Sequence, residues 1–328
     1  MTGRTDGAGG TDGAAGAAGA DRSTDDRLVE CIPNFSEGRD AEIIEEIVGA
    51  IKAVPGVTLL DHYSDHDHNR LVVTFVGTPE AAKAGAFAGI EKATALIDME
   101  RHQGAHPRIG ATDVVPFVPV RGVTIGDCVQ LAKELGREVS AKLQVPVYLY
   151  GEAAQRPERA NLAKIRKGQY ETLKDEIVNT DRHPDFGEPQ MHPRAGAVVI
   201  GARQALIAFN INLNSSDLKL ARAIAKRVRE SGGGYPSIKG AGIPVSDRGL
   251  VQVSMNVEDF NITSLWTIFS AVKAEAAKEG VEVVESEIVG LLPLNAVLGV
   301  ARDALQLRDF DSEQILELRV AKADGGSS

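Results

Sequence analysis

Twice along this chain, alternating apolar runs and helical apolar repeats follow one another in the order β-α-β-β-α-β. The first pass begins with LVECIP at Leu28, turns at 34–38, and enters a helix over 40–54 with Ile43, Ile44, Ile47, Val48 and Ile51 on one face and Asp40 placed to cap it. Pro55 and Gly56 stop that helix. Strands over 57–63 and 69–77, an alanine-rich helix over 79–98 and a strand over 113–120 complete the unit. A helix over 124–143 and a strand over 145–150 extend it, and 151–194, rich in charge and proline, reads as a surface connector. After the strand AGAVVIGA the order returns: strand 205–213, helix 216–230, strands near Ile238 and over 249–255, helix 262–278, strand 281–289.

Amphipathic helices need a partner surface, so each unit is expected to lay its helices on one face of a sheet. The predicted class is α/β (α+β), with two consecutive ferredoxin-like layers and a ligand cleft between them, where concave sites concentrate. The expected organisation is a disordered tail over 1–27, subdomains over 28–203 and 204–322, and a short tail over 323–328. The first tail is Gly, Ala, Asp, Thr and Ser with no large apolar residue after Met1, so burial cannot offset its ordering entropy.

A net charge of -10 argues against general affinity for nucleic acid or anionic membranes, so an anionic ligand must meet a local basic patch. No apolar run is long enough to span a membrane. Two cysteines, Cys31 and Cys128, are too few for a disulfide scaffold and lack zinc spacing, which fits a reducing cytoplasm.

Five of the seven histidines fall in DHYSDHDHNR and RHQGAHPRIGATD. In the first segment, His62, His66 and His68 beside Asp61, Asp65 and Asp67 are compatible with a metal site, or with a polar hairpin tip. His102 and His106 have i, i+4 spacing, but Gly104 and Pro107 argue against a metal-binding helix. His106 is the best general acid/base candidate, because Gly104, Pro107 and Gly110 allow a ligand close to the backbone.

CIPNFSEGRD, LLDHYSDHDHNRLVVTFVG, RHQGAHPRIGATDVVPFVPVRG, PVYLYGEAA, IGARQALIAFNINLN and VQVSMNV together resemble the formiminotransferases, in that family's order. The similarity runs from about Leu28 to about Val320. It implies transfer of the formimino group of N-formimino-L-glutamate to N5 of tetrahydrofolate, a step of histidine breakdown, by a homodimer. Tetrahydrofolate would be a co-substrate, and no metal is expected. The resemblance carries the catalytic role onto His106 rather than His102. Both substrates bear carboxylates, for which Arg70 (beside Asn69), Arg108 and Lys239 are the candidate cations.

The family's folate contacts correspond to GEPQMHPRAG, in which Gly187, Pro193 and Gly196 match better than Gln190 or His192, and less securely to the helix around 219–227. Where vertebrate members have an acidic residue after Asp61, this chain has Tyr63, which leaves Asp61 or Asp65 as candidate acidic partners for the histidine. Two other readings stay open: a metal-dependent amidine or amide hydrolase using the His/Asp cluster, and a folate-binding protein without turnover. The sequence does not specify the formimino or formyl donor.

Overall fold

Asp40 accepts hydrogen bonds from the N–H groups of Glu42 (3.0 Å) and Ile43 (3.3 Å), and so starts the helix α1 (Ala41–Lys52) where the capping pattern places it. Its buried face is Ile44, Ile47, Val48 and Ile51. The computed structural model describes residues 26–245 and 248–325. The expected N-terminal tail lies outside the described residues through position 25, while Arg27 reaches Glu80 and Arg121 reaches Asp26.

The strands β1 (Leu28–Cys31) and β2 (Asn34–Phe35) are two pieces of one line of chain, both lying between β4 (Arg70–Gly77) and β5 (Thr112–Arg121). β3 (Thr58–Asp65) forms the edge beyond β4, and these pairings are antiparallel. Beyond β5 the sheet gains β7 (Val198–Ala202) and then β6 (Val147–Gly151), both parallel. The result is one seven-stranded sheet.

Between α1 and α3 (Ile125–Leu143) packs α2 (Pro79–Leu96), whose small residues permit the close approach. A Cβ on Gly89 would meet Ile51 at 2.9 Å and Phe35 at 3.0 Å. Thr124 and Asp127 form a reciprocal capping box at the start of α3. Beneath these helices lie Phe35, Phe75 and Phe117, all fully buried, each worth roughly 2–3 kcal/mol of transfer free energy.

The stretch 151–194 is more than a surface connector. It carries α4 (Leu162–Ile165) and α5 (Gln169–Glu176), and buries Ile165, Tyr170, Leu173 and Ile177 against the first sheet's core. Those apolar residues are few and widely spaced, so the surrounding charge masks them in the sequence.

The second sheet has the order β11 (Val283–Val289), β8 (Ile207–Leu213), β10 (Leu250–Val257), β9 (Ile238–Val245), antiparallel throughout. α6 (Leu218–Val228) and α7 (Leu265–Lys278) bury Ile224, Val228, Ile268 and Val272 in its separate core. The whole is therefore a mixed α/β protein with two sheets. Two helices follow β11 beyond the expected units, α8 (Leu294–Leu305) and α9 (Leu316–Gly325). Residues 323–325, expected as tail, end α9, and 326–328 lie outside the described residues.

Candidate active site

The loop that joins α2 to β5 carries His106, and backbone bonds stitch it down along its length. Met99 N–H donates to Arg194 O (2.8 Å), Ala111 N–H to Ala195 O (2.8 Å) and Ala197 N–H to Ile109 O (3.1 Å), with Gly110 and Gly196 bridged between them. Both glycines are needed: a Cβ on Gly110 would fall 1.9 Å from Ala197 O, and Gly196 has φ +72 with Ile109 O 2.6 Å from its would-be Cβ.

His106 Nε2 lies 3.5 Å from Asp113 Oδ2, at the outer limit of contact, and is buried without a hydrogen-bond partner. Asp113 is 1% exposed at the irregular start of β5, accepts the Ile109 N–H (3.0 Å), and is held by Arg166 from the segment between α4 and α5 through Nε (3.3 Å) and Nη2. Burial pushes the Asp113 carboxyl up, but Arg166 and His106 outweigh it, so the group stays below the ordinary carboxylate range. Burial lowers the His106 pKa; Asp113 opposes this, while Arg166 and Arg70 reinforce it. The imidazole is thus neutral near pH 7, with an anion at Nε2. Nδ1 is left as the nitrogen that can exchange a proton with a ligand.

His102 has a different part. Its Nδ1 accepts from Arg108 Nε (3.1 Å), so its proton sits on Nε2, which donates to Asn69 O (3.0 Å). Burial lowers its pKa as well. Arg108, 4% exposed, grips Glu171 with both Nη atoms (2.9 and 2.7 Å) and bonds Gln169 Oε1 (3.1 Å) and His102 O (3.2 Å). Its guanidinium is committed to holding the loop against α5. Asn69, buried with φ 49, receives Gly38 N–H on Oδ1 (2.8 Å) and gives Nδ2 to Gln103 O (3.0 Å). Left-handed backbone at that corner suits asparagine.

Arg70, at the start of β4, is within Coulombic range of His106, Asp113 and Arg166, and its Nε is buried without a partner. It lines a cleft of about 740 Å³ between the helix-free faces of the two sheets. The walls are mostly apolar, including Val72, Val76 and Val118 from one sheet and Leu206, Leu291 and Leu292 from the other side. Tyr63 and Asp61 line the same end.

Among the expected residues, the structure therefore gathers His106, Arg70, Asn69, Arg108 and Gly196. It leaves Lys239 apart, on β9 and paired with Glu258 (2.6 Å). Gly187 (φ +94) packs near Ser140 and Pro146, and Pro193 is exposed in the turn whose His192 Nδ1 accepts Ala195 N–H (2.9 Å). On α6, Arg227 pairs with Glu275 and Glu279. The acidic partner of His106 is Asp113 rather than Asp61 or Asp65; Asp65 instead binds His68 Nδ1 (2.9 Å). Among the described residues no three His, Cys, Asp or Glu side chains converge as a metal-binding group.

Sequence reasoning missed Asp113 and Arg166. The first had a signal, an ionisable residue heading the apolar run VVPFV. Arg166 had none within its charged stretch.

Two family profiles match the chain, the formiminotransferase domain's N-terminal subdomain over 28–203 and the formiminotransferase domain over 208–322. A protein named glutamate formimidoyltransferase from Streptococcus pyogenes serotype M1 is 46% identical, covering 89% of this chain and 98% of the relative. One of that name from Thermoplasma acidophilum is 47% identical over 90% and 98%. The formimidoyltransferase-cyclodeaminase of Rattus norvegicus is 46% identical over 84% of this chain but only 52% of its own length. With both profiles and near-complete alignment to relatives, this chain belongs to the formiminotransferase family.

Proposed function

We propose that the protein is a glutamate formimidoyltransferase that moves the formimino group of N-formimino-L-glutamate to N5 of tetrahydrofolate, with His106 as its acid/base. The observation that carries the chemistry is the buried His106–Asp113 pair, adjoining Arg70 at the end of the cleft. The assignment of substrates draws on the relatives' names.

The cleft suits both substrates: its apolar walls fit the flat heterocycle and aryl tail of the co-substrate, and the partnerless Arg70 Nε fits the donor's carboxylate. Tetrahydrofolate, when bound, supplies N5 as the nucleophile for the one-carbon unit. His106, neutral at pH 7, takes up the released proton on Nδ1 and returns it to the departing glutamate nitrogen. Asp113 stabilises the imidazolium in between, and Arg166 keeps Asp113 ionised. Arg70 orients the donor's carboxylate, while Asn69, His102 and Arg108 hold the loop.

We further read the two sheets as ferredoxin-like layers, subdomains 28–203 and 204–322, acting as a homodimer in the cytoplasm within histidine breakdown. The strand order β11-β8-β10-β9, with α6 and α7 on one face, supports this reading of the second layer. The free, buried Cys31 and Cys128 accord with a reducing compartment.

The test is to incubate the purified protein with donor and tetrahydrofolate, with and without a chelator, and follow 5-formimidoyltetrahydrofolate and glutamate. Folate-dependent, chelator-insensitive product formation is expected. Hydrolysis of the donor without folate, abolished by chelation, would replace this reading with a metallohydrolase.

A further inference from the structure

The cleft contains a second cation that has no part in the acid/base pair. Arg203 follows β7 and lines the same cleft as Arg70, toward its other end. Its backbone N–H donates to Phe117 O (3.1 Å), four residues along β5 from Asp113. At a strand rise of about 3.3 Å per residue, Arg203 is anchored roughly 13 Å from the acid/base pair.

Among the described residues no ion pair holds its guanidinium, whose partners are Gln204 O, reached by Nη1 at 2.9 Å, and the Tyr150 side chain. The titratable groups around it are Glu30 and Cys31 on β1 and Tyr150 on β6, and the Tyr150 side chain shares a hydrogen bond with it. An arginine directed into an apolar cleft with donors to spare is suited to an anion at the end of an otherwise apolar ligand.

Resting on the transferase reading, we infer that Arg203 binds the carboxylate of the aminobenzoyl-glutamate tail of the folate, at the far end of the cleft from the acid/base pair. The distances agree. From N5 to the tail's α-carboxylate an extended folate spans on the order of 12 Å when its bonds are about 1.3–1.5 Å long. Arg70 then serves the small donor near His106, and Arg203 serves the acceptor's far end.

The experiment compares wild type, Arg203→Met and Arg203→Lys in steady-state transfer to tetrahydrofolate and to 6-methyltetrahydropterin, which has no tail. The pterin is read as an acceptor or, failing turnover, as a competitive inhibitor. For Arg203→Met, KM for tetrahydrofolate is expected to rise roughly 10- to 100-fold, the scale of a lost charge-assisted hydrogen bond. The donor's KM, kcat and the constant for the tail-less pterin should stay within about 3-fold of wild type, and Arg203→Lys should recover part of the loss. An unchanged KM for tetrahydrofolate, or an equal loss with both pterins, overturns the inference while leaving the transferase reading intact. Absence of any folate-dependent transfer by wild type sinks that reading, and the inference with it.

Discussion

His106 and Asp113 face each other at 3.5 Å, Nε2 to Oδ2, with the carboxylate almost wholly buried and the histidine within Coulombic range of Arg70, which lines the cleft. An ionised acid in that position decides the tautomer of the imidazole and the ease with which it charges. Burial, Arg166 and Arg70 pull the histidine's pKa down, and Asp113 pulls it up.

The acid limb of kcat/KM therefore falls below the ordinary histidine range of about 6.5. Asp113→Asn removes the one influence that raises the pKa, so the limb should move to still lower pH while the rate at its plateau drops roughly 10- to 100-fold. A pH–rate profile of both proteins checks the direction. A limb that moves upward would show that Asp113 does not act on His106.

Arg166 is the charge that makes a buried Asp113 tolerable. Arg166→Met leaves that carboxylate without its cation and should destabilise the fold by about 3–5 kcal/mol. Urea unfolding at pH 7.5 measures this. Combining it with Asp113→Asn should restore part of the loss, since no buried charge is then stranded.

Gly110 and Gly196 are crossed by each other's backbone. Gly196→Ala combines a positive φ with a carbonyl 2.6 Å from the new Cβ, and should cost roughly 1–3 kcal/mol and displace the His106 loop. Thermal melting and the rate of transfer should fall together. Gly249→Ala, also at positive φ but with open space around its Cβ, isolates the backbone term and should leave catalysis unchanged.

His102, His106 and His192 all have folded pKa values lowered first by burial. Their unfolded values lie near 6.5, so below that pH the unfolded chain binds more protons than the native one. Stability is therefore full above about pH 6.5 and declines as pH falls toward the lowered native values. The urea midpoint should be lower at pH 5.5 than at 7.5, and His192→Asn should reduce the difference.

Local patterns made much of the fold legible: the Ile44, Ile47, Val48 and Ile51 stripe of α1, its Asp40 cap, and the succession of strands and helices along the second half all follow from short-range spacing. His106 was legible through its motif. The groups that tune it were not, because Arg166 meets Asp113 from 53 positions away and Arg108 meets Glu171 from 63. Periodicity carries no information about such pairs. For the same reason the sequence offered Arg108 and Lys239 as free cations, although one is committed to Glu171 and the other to Glu258. Arg203 stood within the motif IGARQALIAFNINLN, but nothing in that local pattern set it apart as a cation facing the cleft.

The most direct test of the account is single-turnover transfer from N-formimino-L-glutamate to tetrahydrofolate by wild type and by His106→Ala, with folding of the variant verified by its urea midpoint. Loss of at least about 100-fold in rate, with both substrates still bound, is the predicted result for a proton-transferring histidine. Near-normal transfer by a folded His106→Ala protein would contradict it.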